Sequence, residues 1–256
     1  CRVCLCKSFM AGHFMYQILK DFQLVIFGLV LALGLVACSK TASDNLAKDG
    51  ITVTGSAYQI VKSDFASWQF NIVSKNANKA AAYDAVKSQI PEVKNYLLKN
   101  GVKEEEIEFL PPTSYPTYKT NPQTGYSTQD VAFYNFSQPV KIKSNDVNKI
   151  KDLSTNIQDL LSKGININSS NPEYQYTGLA DLKVKLLEDA TKDAKARAQA
   201  MLKATNNDVG KIRSVKMGVF QITRSDSNDV SDWGINDTTT IDKKVNAVAN
   251  VVFSIK

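Results

Sequence analysis

The segment with the most clearly defined chemistry in this sequence is a cysteine that follows a short apolar run. Residues 24–37 are fourteen mostly aliphatic residues, and Cys38 follows them directly. The last three residues of the run are Leu35, Val36 and Ala37. An aliphatic residue and a small residue before a cysteine form a lipobox, in which the thiol is acylated and the preceding peptide is removed. We therefore expect lipidation of Cys38, which becomes the N-terminus of the mature protein.

The apolar run has the length of a secretory signal rather than of a membrane span. A membrane-spanning helix needs roughly 20 apolar residues, whereas a signal-peptide core needs about 7–15. We interpret residues 1–37 as a signal peptide; an uncleaved anchor or a buried helix is the alternative. Because the sequence begins with Cys1, Met15 is the more natural start, which would leave residues 1–14 untranslated and Lys20 as the basic flank.

The histidine and the other cysteines of the chain lie within the predicted signal. The only histidine is His13, and the only other cysteines are Cys1, Cys4 and Cys6, whose spacing fits no zinc pattern. A mature chain without histidine or a free thiol cannot form a Ser-His-Asp triad, a cysteine nucleophile or an ordinary zinc site. We therefore expect no catalytic residue, no metal and no cofactor. Carboxylate pairs, lysine chemistry and oxygen-only metal sites stay open.

Two acidic clusters are candidates for that remaining chemistry. The first, Glu104, Glu105, Glu106 and Glu108, would supply one half of a glycosidase acid/base pair, although a solvated strand entry explains it better. The second comprises Asp226, Asp229, Asp232, Asp237 and Asp242, which would offer oxygen ligands to calcium. It lacks EF-hand spacing, so a polar hairpin loop is favoured. Trp233 within it is either a recognition residue or an aromatic that anchors the loop.

Three tyrosines and one charged pair complete the candidate residues. Tyr115, Tyr118 and Tyr126 lie in a Pro-rich segment and would present an aromatic surface to a partner or a second copy. Cross-strand packing within the chain is the alternative. Asp193 and Arg197 are four residues apart on a predicted helix, which a surface ion pair explains.

The charge balance argues against a nucleic-acid partner. Residues 38–256 carry 28 basic and 24 acidic residues, a net charge of +4, without a block of five like charges. Lysine and acidic residues alternate along the chain, which is typical of a solvated surface.

The rest of the chain alternates between strand and helix patterns. Residues 38–50 have linker composition, and folded structure is expected from Ile51 onward. Period-two alternation predicts strands at residues 51–55, 66–72, 131–143, 165–176, 212–223 and 245–255, and around Phe109. We expect a hairpin between the first two strands with its turn at residues 62–64, and a long hairpin at residues 111–126. Pro139 predicts an edge strand or a bulge.

Helical periodicity covers residues 76–101, 145–164 and 178–204. Pro91 is expected to kink or split the first helix. The expected inner stripe of the third is Leu182, Leu186, Ala190, Ala194, Ala198 and Met201. The first two helices end in similar corners, LLKNGV and LLSKGI, which indicate a weak internal duplication or a chance similarity. The pattern predicts an α+β fold of mixed, mostly antiparallel sheets packed against long helices.

Several of these segments resemble the SIMPL domain family. They are the opening ITVTG strand at residues 51–55, the Leu-Leu-x-x-Gly-Val corner at residues 97–102, and the alanine-rich segment Asp193 to Ala200 (DAKARAQA), which resembles the family's DAxxRAxxxA pattern. The stretches YQYTGLADLKVKLLEDATKDAKARAQAM and SDWGINDTTTIDKKVNAVANVVFSI are similar to an envelope-associated lipoprotein branch of that family. The resemblance implies one SIMPL domain over residues 51–256. It also implies an exported protein linked to envelope integrity or stress tolerance, with self-assembly in some members and no catalytic residues to carry over.

These observations lead to one functional hypothesis and one alternative. The hypothesis is a non-catalytic protein of the cell envelope that is held on the outer membrane, facing the periplasm, by lipid on Cys38. It would act by binding or by homo-oligomerisation, with no nucleic acid and an unknown protein partner. The alternative is a carboxylate-based enzyme that acts on envelope glycans.

Overall fold

The computed structural model describes residues 50–256, which form three α-helices and eleven strands. The helices are α1 Lys79–Lys99, α2 Val147–Asn156 and α3 Leu179–Lys203. The strands are β1 Gly50–Lys62, β2 Phe65–Asn76, β3 Ile107–Phe109, β4 Thr113–Thr120, β5 Ser127–Ser144, β6 Ile167–Ser169, β7 Glu173–Gln175, β8 Val209–Met217, β9 Gln221–Arg224, β10 Ile235–Asn236 and β11 Asp242–Ile255. Short 3-10 helices cover Glu104–Glu106 and Ile157–Lys163. Within this part of the chain no helix is both long and apolar enough to cross a bilayer.

A six-stranded antiparallel sheet is built around β2 and β5. These two strands pair from Ala66↔Ser144 to Asn76↔Tyr134, β3 and β4 follow each other along the far side of β5, and β6 and β7 do the same along β2. One face of the sheet is apolar and packs against α1 and α2. Its core contains Trp68, Phe70, Ile72, Val86, Val93, Leu97, Ile142, Ile150 and Leu160.

A five-stranded sheet has the order β1-β11-β9-β10, with β8 also paired to β11. β11 and β9 are antiparallel, whereas β10 and β9 are parallel. Leu182 and Leu186 of α3 belong to one buried cluster with Val61, Ile222 and Val245 of the sheet. Helices beside two mostly antiparallel sheets confirm the predicted α+β class.

By contact density the described residues fall into two compact units. The larger comprises Thr54–Ala194 and Lys216–Asn250. The smaller comprises residues 50–53, Lys195–Val215 and Val251–Lys256. In the smaller unit the backbones of Asp208 and Lys256 exchange two hydrogen bonds of 2.9 and 2.8 Å, which close the end of the chain against the start of β8.

The expected hairpin between the first two strands is wrong. β1 belongs to the five-stranded sheet and β2 to the six-stranded sheet, so the chain changes sheets at Ser63 and Asp64. Ser63 N–H donates to the Ile241 carbonyl, which precedes β11, and Asp64 N–H donates to the Gln175 carbonyl in β7. β1 and β2 each have one apolar face, and the two faces pack against different helices. Period-two alternation identifies an apolar face but does not show to which sheet the strand belongs.

Pro91 does not split the first predicted helix. α1 runs continuously from Lys79 to Lys99. Its first turn is capped by the Asn78 side chain, which accepts hydrogen bonds from Ala80 N and Ala81 N at 2.8 and 3.2 Å. A proline removes one backbone donor from the helix ladder. Val86 and Val93, buried on either side of it, hold the helix on the sheet.

Pro139 does not mark an edge strand, because β5 is paired on both sides. The proline lies where the far side of β5 passes from β4 to β3. Its carbonyl accepts from Leu110 N–H at 3.0 Å, and the Gln138 side-chain amide donates to the Leu110 carbonyl at 2.6 Å. A residue's N–H and C=O face the same neighbour in an antiparallel ladder. The missing N–H therefore points into the gap between two partner strands and costs no ladder bond.

Two further predictions need correction. The strand predicted at residues 212–223 is two strands, β8 and β9, separated at Gly218 and its neighbours. Met201 is 57% exposed, and Leu202 is the buried residue that continues the α3 stripe. Leu202 keeps the spacing of four residues that runs from Leu182 through Ala198, whereas Met201 departs from it.

Candidate functional site

The predicted lipobox and the other chemically reactive residues of the N-terminal segment lie outside the described residues. This holds for Leu35, Val36, Ala37 and Cys38, and for the earlier cysteines and His13. Lipidation of Cys38 therefore stays a prediction from sequence.

The Tyr- and Pro-rich segment forms the long hairpin that was expected, here called the hairpin arm (residues 113–136). β4 and β5 pair from Thr113↔Ser137 to Thr120↔Ser127, with irregular register on either side of Tyr118. Asn121 N–H donates to the Tyr126 carbonyl at 2.9 Å, and Gly125 has φ +72° in the turn. Glycine adopts this left-handed conformation without steric cost, so the turn residues fix where the arm ends.

The outer part of the arm has two open strand edges. The β2 partner of β5 ends at Asn76↔Tyr134, so residues 127–133 of β5 have no strand on that side within the described chain. β4 pairs only with β5 there, which leaves its outer edge open as well. Two strands alone are marginally stable in water, and open edges favour pairing with another chain.

The three tyrosines proposed as an interaction surface lie on this arm with exposed rings. Tyr115 is 59%, Tyr118 45% and Tyr126 77% exposed. Another aromatic of the arm, Phe133, is instead covered by Lys75, whose Nζ lies 3.5 Å from the ring centroid. The tyrosine rings are therefore accessible to another molecule along the length of the arm.

A polar groove of about 610 Å³ lies where the arm joins the six-stranded sheet. We call it the amide groove, because five of its lining residues carry side-chain amides. They are Asn71, Asn135, Gln158, Asn166 and Asn168. Its floor is the sheet face that points away from α1: Lys75 lies opposite Asn135, which lies opposite Tyr115. Lys75 is the only charged residue in the lining.

The glutamates at residues 104–108 are each held by a lysine. Glu104 lies 2.6 Å from Lys94 Nζ, Glu105 3.8 Å from Lys103 Nζ, and Glu108 3.2 Å from Lys143 Nζ. The partner of Glu106 is Lys149, at 3.0 Å. The hydrogen bond and charge of Lys94 lower the pKa of Glu104. These carboxylates therefore serve in ion pairs along the strand entry.

Glu106 is the most enclosed member of this cluster. Burial opposes its ionisation, but hydrogen bonds from the Ser144 hydroxyl, the Lys103 backbone and Lys149 outweigh that effect and lower its pKa. A general acid needs a raised pKa near the working pH. The local environment of Glu106 thus favours a permanent carboxylate that ties the 3-10 turn to α2.

The aspartates at residues 226–242 do not converge on one point. Asp226 forms an ion pair with Arg224 at 3.0 Å, and Asp229 accepts from the Ser227 hydroxyl at 2.6 Å. Across residues 50–256 there is no group of three carboxylate, histidine or cysteine side chains placed to hold a metal.

Asp237 has a separate role in that loop. Its carboxylate accepts hydrogen bonds from the hydroxyls of Thr239 and Thr240, and Lys243 Nζ lies 3.5 Å away and donates to the Asp237 carbonyl at 2.5 Å. Lys243 is only 2% exposed. Burial disfavours the charged carboxylate, but the two threonines and Lys243 outweigh it and lower the pKa of Asp237 to about 2. Sequence reasoning missed this buried pair because a lysine in an alternating strand reads as outward-facing.

Trp233 is 95% exposed, so it does not anchor the acidic loop. Its backbone N–H donates to the Ser231 hydroxyl at 3.3 Å, which holds the turn without using the ring. The recognition alternative for this residue stays open.

The two signature segments at the start of β1 and in α3 meet in space, a contact that sequence reasoning missed. A Cβ added to Gly55 would lie 2.1 Å from the Ala190 carbonyl oxygen and 2.4 Å from Ala194 N. Asp193 accepts a hydrogen bond from Ser56 N–H at 2.8 Å. Because β1 is an edge strand, that carboxylate satisfies a donor on the open edge. The ITVTG glycine and the alanine-rich helix are thus two sides of one contact.

Comparison with known proteins gives one match. A search of curated proteins finds none that matches the chain. The sequence pattern of the SIMPL family, described as proteins of unknown function (DUF541), matches residues 51–253, which include both the strand with Gly55 and the helix that packs on it. The chain belongs to the SIMPL family.

Proposed function

We propose that this protein is a non-catalytic component of the cell envelope that is held by lipid on Cys38 and acts by binding and self-association through its hairpin arm. The observation that carries the proposal is the arm itself. It has two open strand edges in its outer part and three exposed tyrosines, 45–77% accessible, along its length. Tyrosine supplies large contact area with little loss of side-chain entropy.

The anchor part of the proposal is supported by sequence. The lipobox at residues 35–38 follows a signal-like apolar run, and the twelve residues after it are mostly polar or small. Random-coil scaling gives a linker of that length a span on the order of 20 Å, so the folded part would lie near a membrane without having to touch the bilayer. Serine follows the cysteine, which favours the outer membrane in a double-membrane envelope, with the protein facing the periplasm. A role in envelope integrity or stress defence is what the resemblance to exported SIMPL proteins implies.

The alternative of a carboxylate-based enzyme has less support. All the carboxyl groups with a shifted pKa in the described chain shift downwards: Glu92, Glu104, Glu106, Glu188, Asp226 and Asp237. A glycosidase needs one carboxyl group whose pKa is raised so that it stays protonated.

Cysteine cross-linking in native membranes tests the self-association. Tyr126→Cys places a thiol at the tip of the arm in the full chain. If arms pair, mild oxidation should give a disulfide-linked dimer above the wild-type background. Val184→Cys is the matched control, since Val184 is 69% exposed and belongs to α3, not to the arm. Equal dimer yields from the two variants would refute pairing through the arm.

A further inference from the structure

The amide groove has side chains that the fold itself does not use. Within the described chain the side-chain amides of Asn71, Asn166 and Asn168 make no hydrogen bond to protein, although all three line the groove. Asn71 and Asn168 are directly paired residues of β2 and β6, so their side chains lie on the same face. Amides brought together without an internal partner are available to a ligand.

The chemistry of the lining selects an uncharged ligand. The groove has no acidic residue, and its one cation, Lys75, lies against the Phe133 ring. Phosphates and nucleic acids require several cations at close range, and a basic peptide requires acidic side chains. The lining contains neither a group of cations nor an acidic side chain.

The hydrogen-bonding groups of the lining limit the class of ligand further. Each side-chain amide offers two donors and one carbonyl acceptor, and each serine or threonine hydroxyl both donates and accepts. Ser137 and Thr113 add two such hydroxyls, directly opposite each other on β5 and β4. A surface that donates and accepts at closely spaced points matches a molecule whose hydroxyl groups do the same.

One wall of the groove is aromatic. Tyr115 lines it with a ring that is 59% exposed. An aromatic face packs against the apolar C–H face of a pyranose ring, while the hydroxyls at the ring's rim reach the amides. The groove volume of about 610 Å³ falls in the usual range of small-ligand sites, about 300–1,000 Å³.

We propose that the amide groove binds a neutral oligosaccharide, with Asn71 and Asn168 as hydrogen-bonding residues and Tyr115 as the stacking residue. The absence of a carboxylate from the lining makes this a site of binding and not of cleavage. The proposal deepens the binding part of the proposed function. Its test measures sugar affinity, whereas the cross-linking test measures arm pairing, so each can fail while the other succeeds.

Calorimetric titration of the full chain, purified in a detergent without a sugar headgroup, tests this proposal. The probes are chitotetraose, a chain of N-acetylglucosamine, and maltotetraose, a chain of glucose. We expect saturable binding of at least one, and the comparison tells whether the acetamido group is recognised. Asn71→Ala with Asn168→Ala should weaken binding about tenfold, because two ligand hydrogen bonds are lost.

Tyr115→Ser should weaken binding as well, through loss of the stacking face. Gln199→Ala on α3 is the matched control and should bind like wild type, since it removes an exposed amide that does not line the groove. If the double variant melts at a lower temperature than wild type, Asn168→Ala alone, at an exposed position, replaces it. No binding of either sugar at millimolar concentration would overturn the proposal. Unchanged affinity in the groove variants, or binding of an extended peptide instead of the sugars, would also overturn it.

Discussion

At the scale of single residues, the family signature is explained by one close packing contact. Gly55 lies on β1 directly beneath Ala190 and Ala194 of α3, which are both fully buried. Small residues on both sides let the helix backbone approach the strand. Asp193, one residue before Ala194, then reaches Ser56 N–H on the open strand edge. The glycine, the alanines and the aspartate therefore act together as one structural unit.

Gly55→Ala should destabilise the protein strongly. The new methyl carbon would overlap backbone atoms of α3, and backbone cannot move aside as a side-chain end can. We expect a loss of about 3 kcal/mol or more in the free energy of unfolding, measured by urea denaturation.

The matched control is Gly50→Ala at the start of the same strand. There the nearest atom to the added carbon is a methyl group of Val252 at 3.3 Å. This variant should lose much less stability. Equal losses in the two variants would show that glycine in β1 matters for backbone freedom and not for the helix contact.

At the scale of elements, the loop between β9 and β11 is held by a buried charge pair. Lys243 points into the protein from β11, and its ammonium binds the carbonyl and the carboxylate of Asp237. Burial lowers the pKa of Lys243 because desolvation outweighs the attraction to Asp237. The main effect of the pair is therefore to hold the loop on the sheet, and its net electrostatic stabilisation is small.

Lys243→Met should unfold more easily than wild type. It keeps the length of the side chain but leaves the Asp237 carboxylate partly buried without its cation. We expect a loss of about 3 kcal/mol in the free energy of unfolding by urea. Lys192→Met on the surface of α3, where the partner Glu188 is exposed, is the control and should change stability little. A wild-type value for Lys243→Met would mean that the pair is not needed to hold the loop.

The lowered pKa of Asp237 in this loop predicts that the stability of the protein depends on pH. The pKa of Asp237 falls from 3.8 to about 2 on folding. A lowered pKa contributes stability that is complete above about pH 4 and is lost as the pH falls through 2. The stability of wild type relative to Asp237→Asn should therefore drop by about 2 kcal/mol between pH 5 and pH 2. Urea titrations of both proteins at the two pH values measure this, and a constant difference would contradict it.

Local geometry was predictable from sequence where backbone chemistry alone decides it. The corners after α1 and after the Ile157–Lys163 turn are superimposable in their hydrogen bonds: Val102 N–H donates to the Leu97 carbonyl and Ile165 N–H to the Leu160 carbonyl, each at 3.1 Å. Gly101 and Gly164 have φ values of +82° and +75°. Glycine at these positions and leucine three to four residues earlier suffice to predict such a helix end.

Which strands pair with each other was not predictable from sequence. The alternation of apolar and polar residues indicated which face of β1 and of β2 is buried, but not that the two strands belong to different sheets. Pro139 is tolerated in a central strand because two short strands, β3 and β4, meet opposite it. The amide groove combines residues from β2, β4, β5, β6 and the Ile157–Lys163 turn. No spacing within one segment reveals such a site, because long-range pairing decides it.

At the scale of the whole molecule, the proposed anchor and the hairpin arm depend on each other. The arm offers two short open edges, and a contact of that size is weak between molecules that are free in three dimensions. Lipid on Cys38 would confine copies to a surface and raise their effective concentration without any new contact. The described residues, which contain no membrane-spanning helix, would then be held at the membrane by that lipid.

Cys38→Ala in the Tyr126→Cys background tests this dependence. The variant cannot be acylated at residue 38, so it should leave the membrane fraction or accumulate with its signal peptide uncleaved. Where it is released, oxidation should yield less disulfide-linked dimer than the anchored Tyr126→Cys protein at equal expression, because the copies are diluted from a surface into a volume. Immunoblots of membrane and soluble fractions, with and without reductant, measure both effects. Loss of membrane association with an unchanged dimer yield would mean that the arm contact is strong on its own. Retention of the processed variant in the membrane would show that Cys38 is not the anchor.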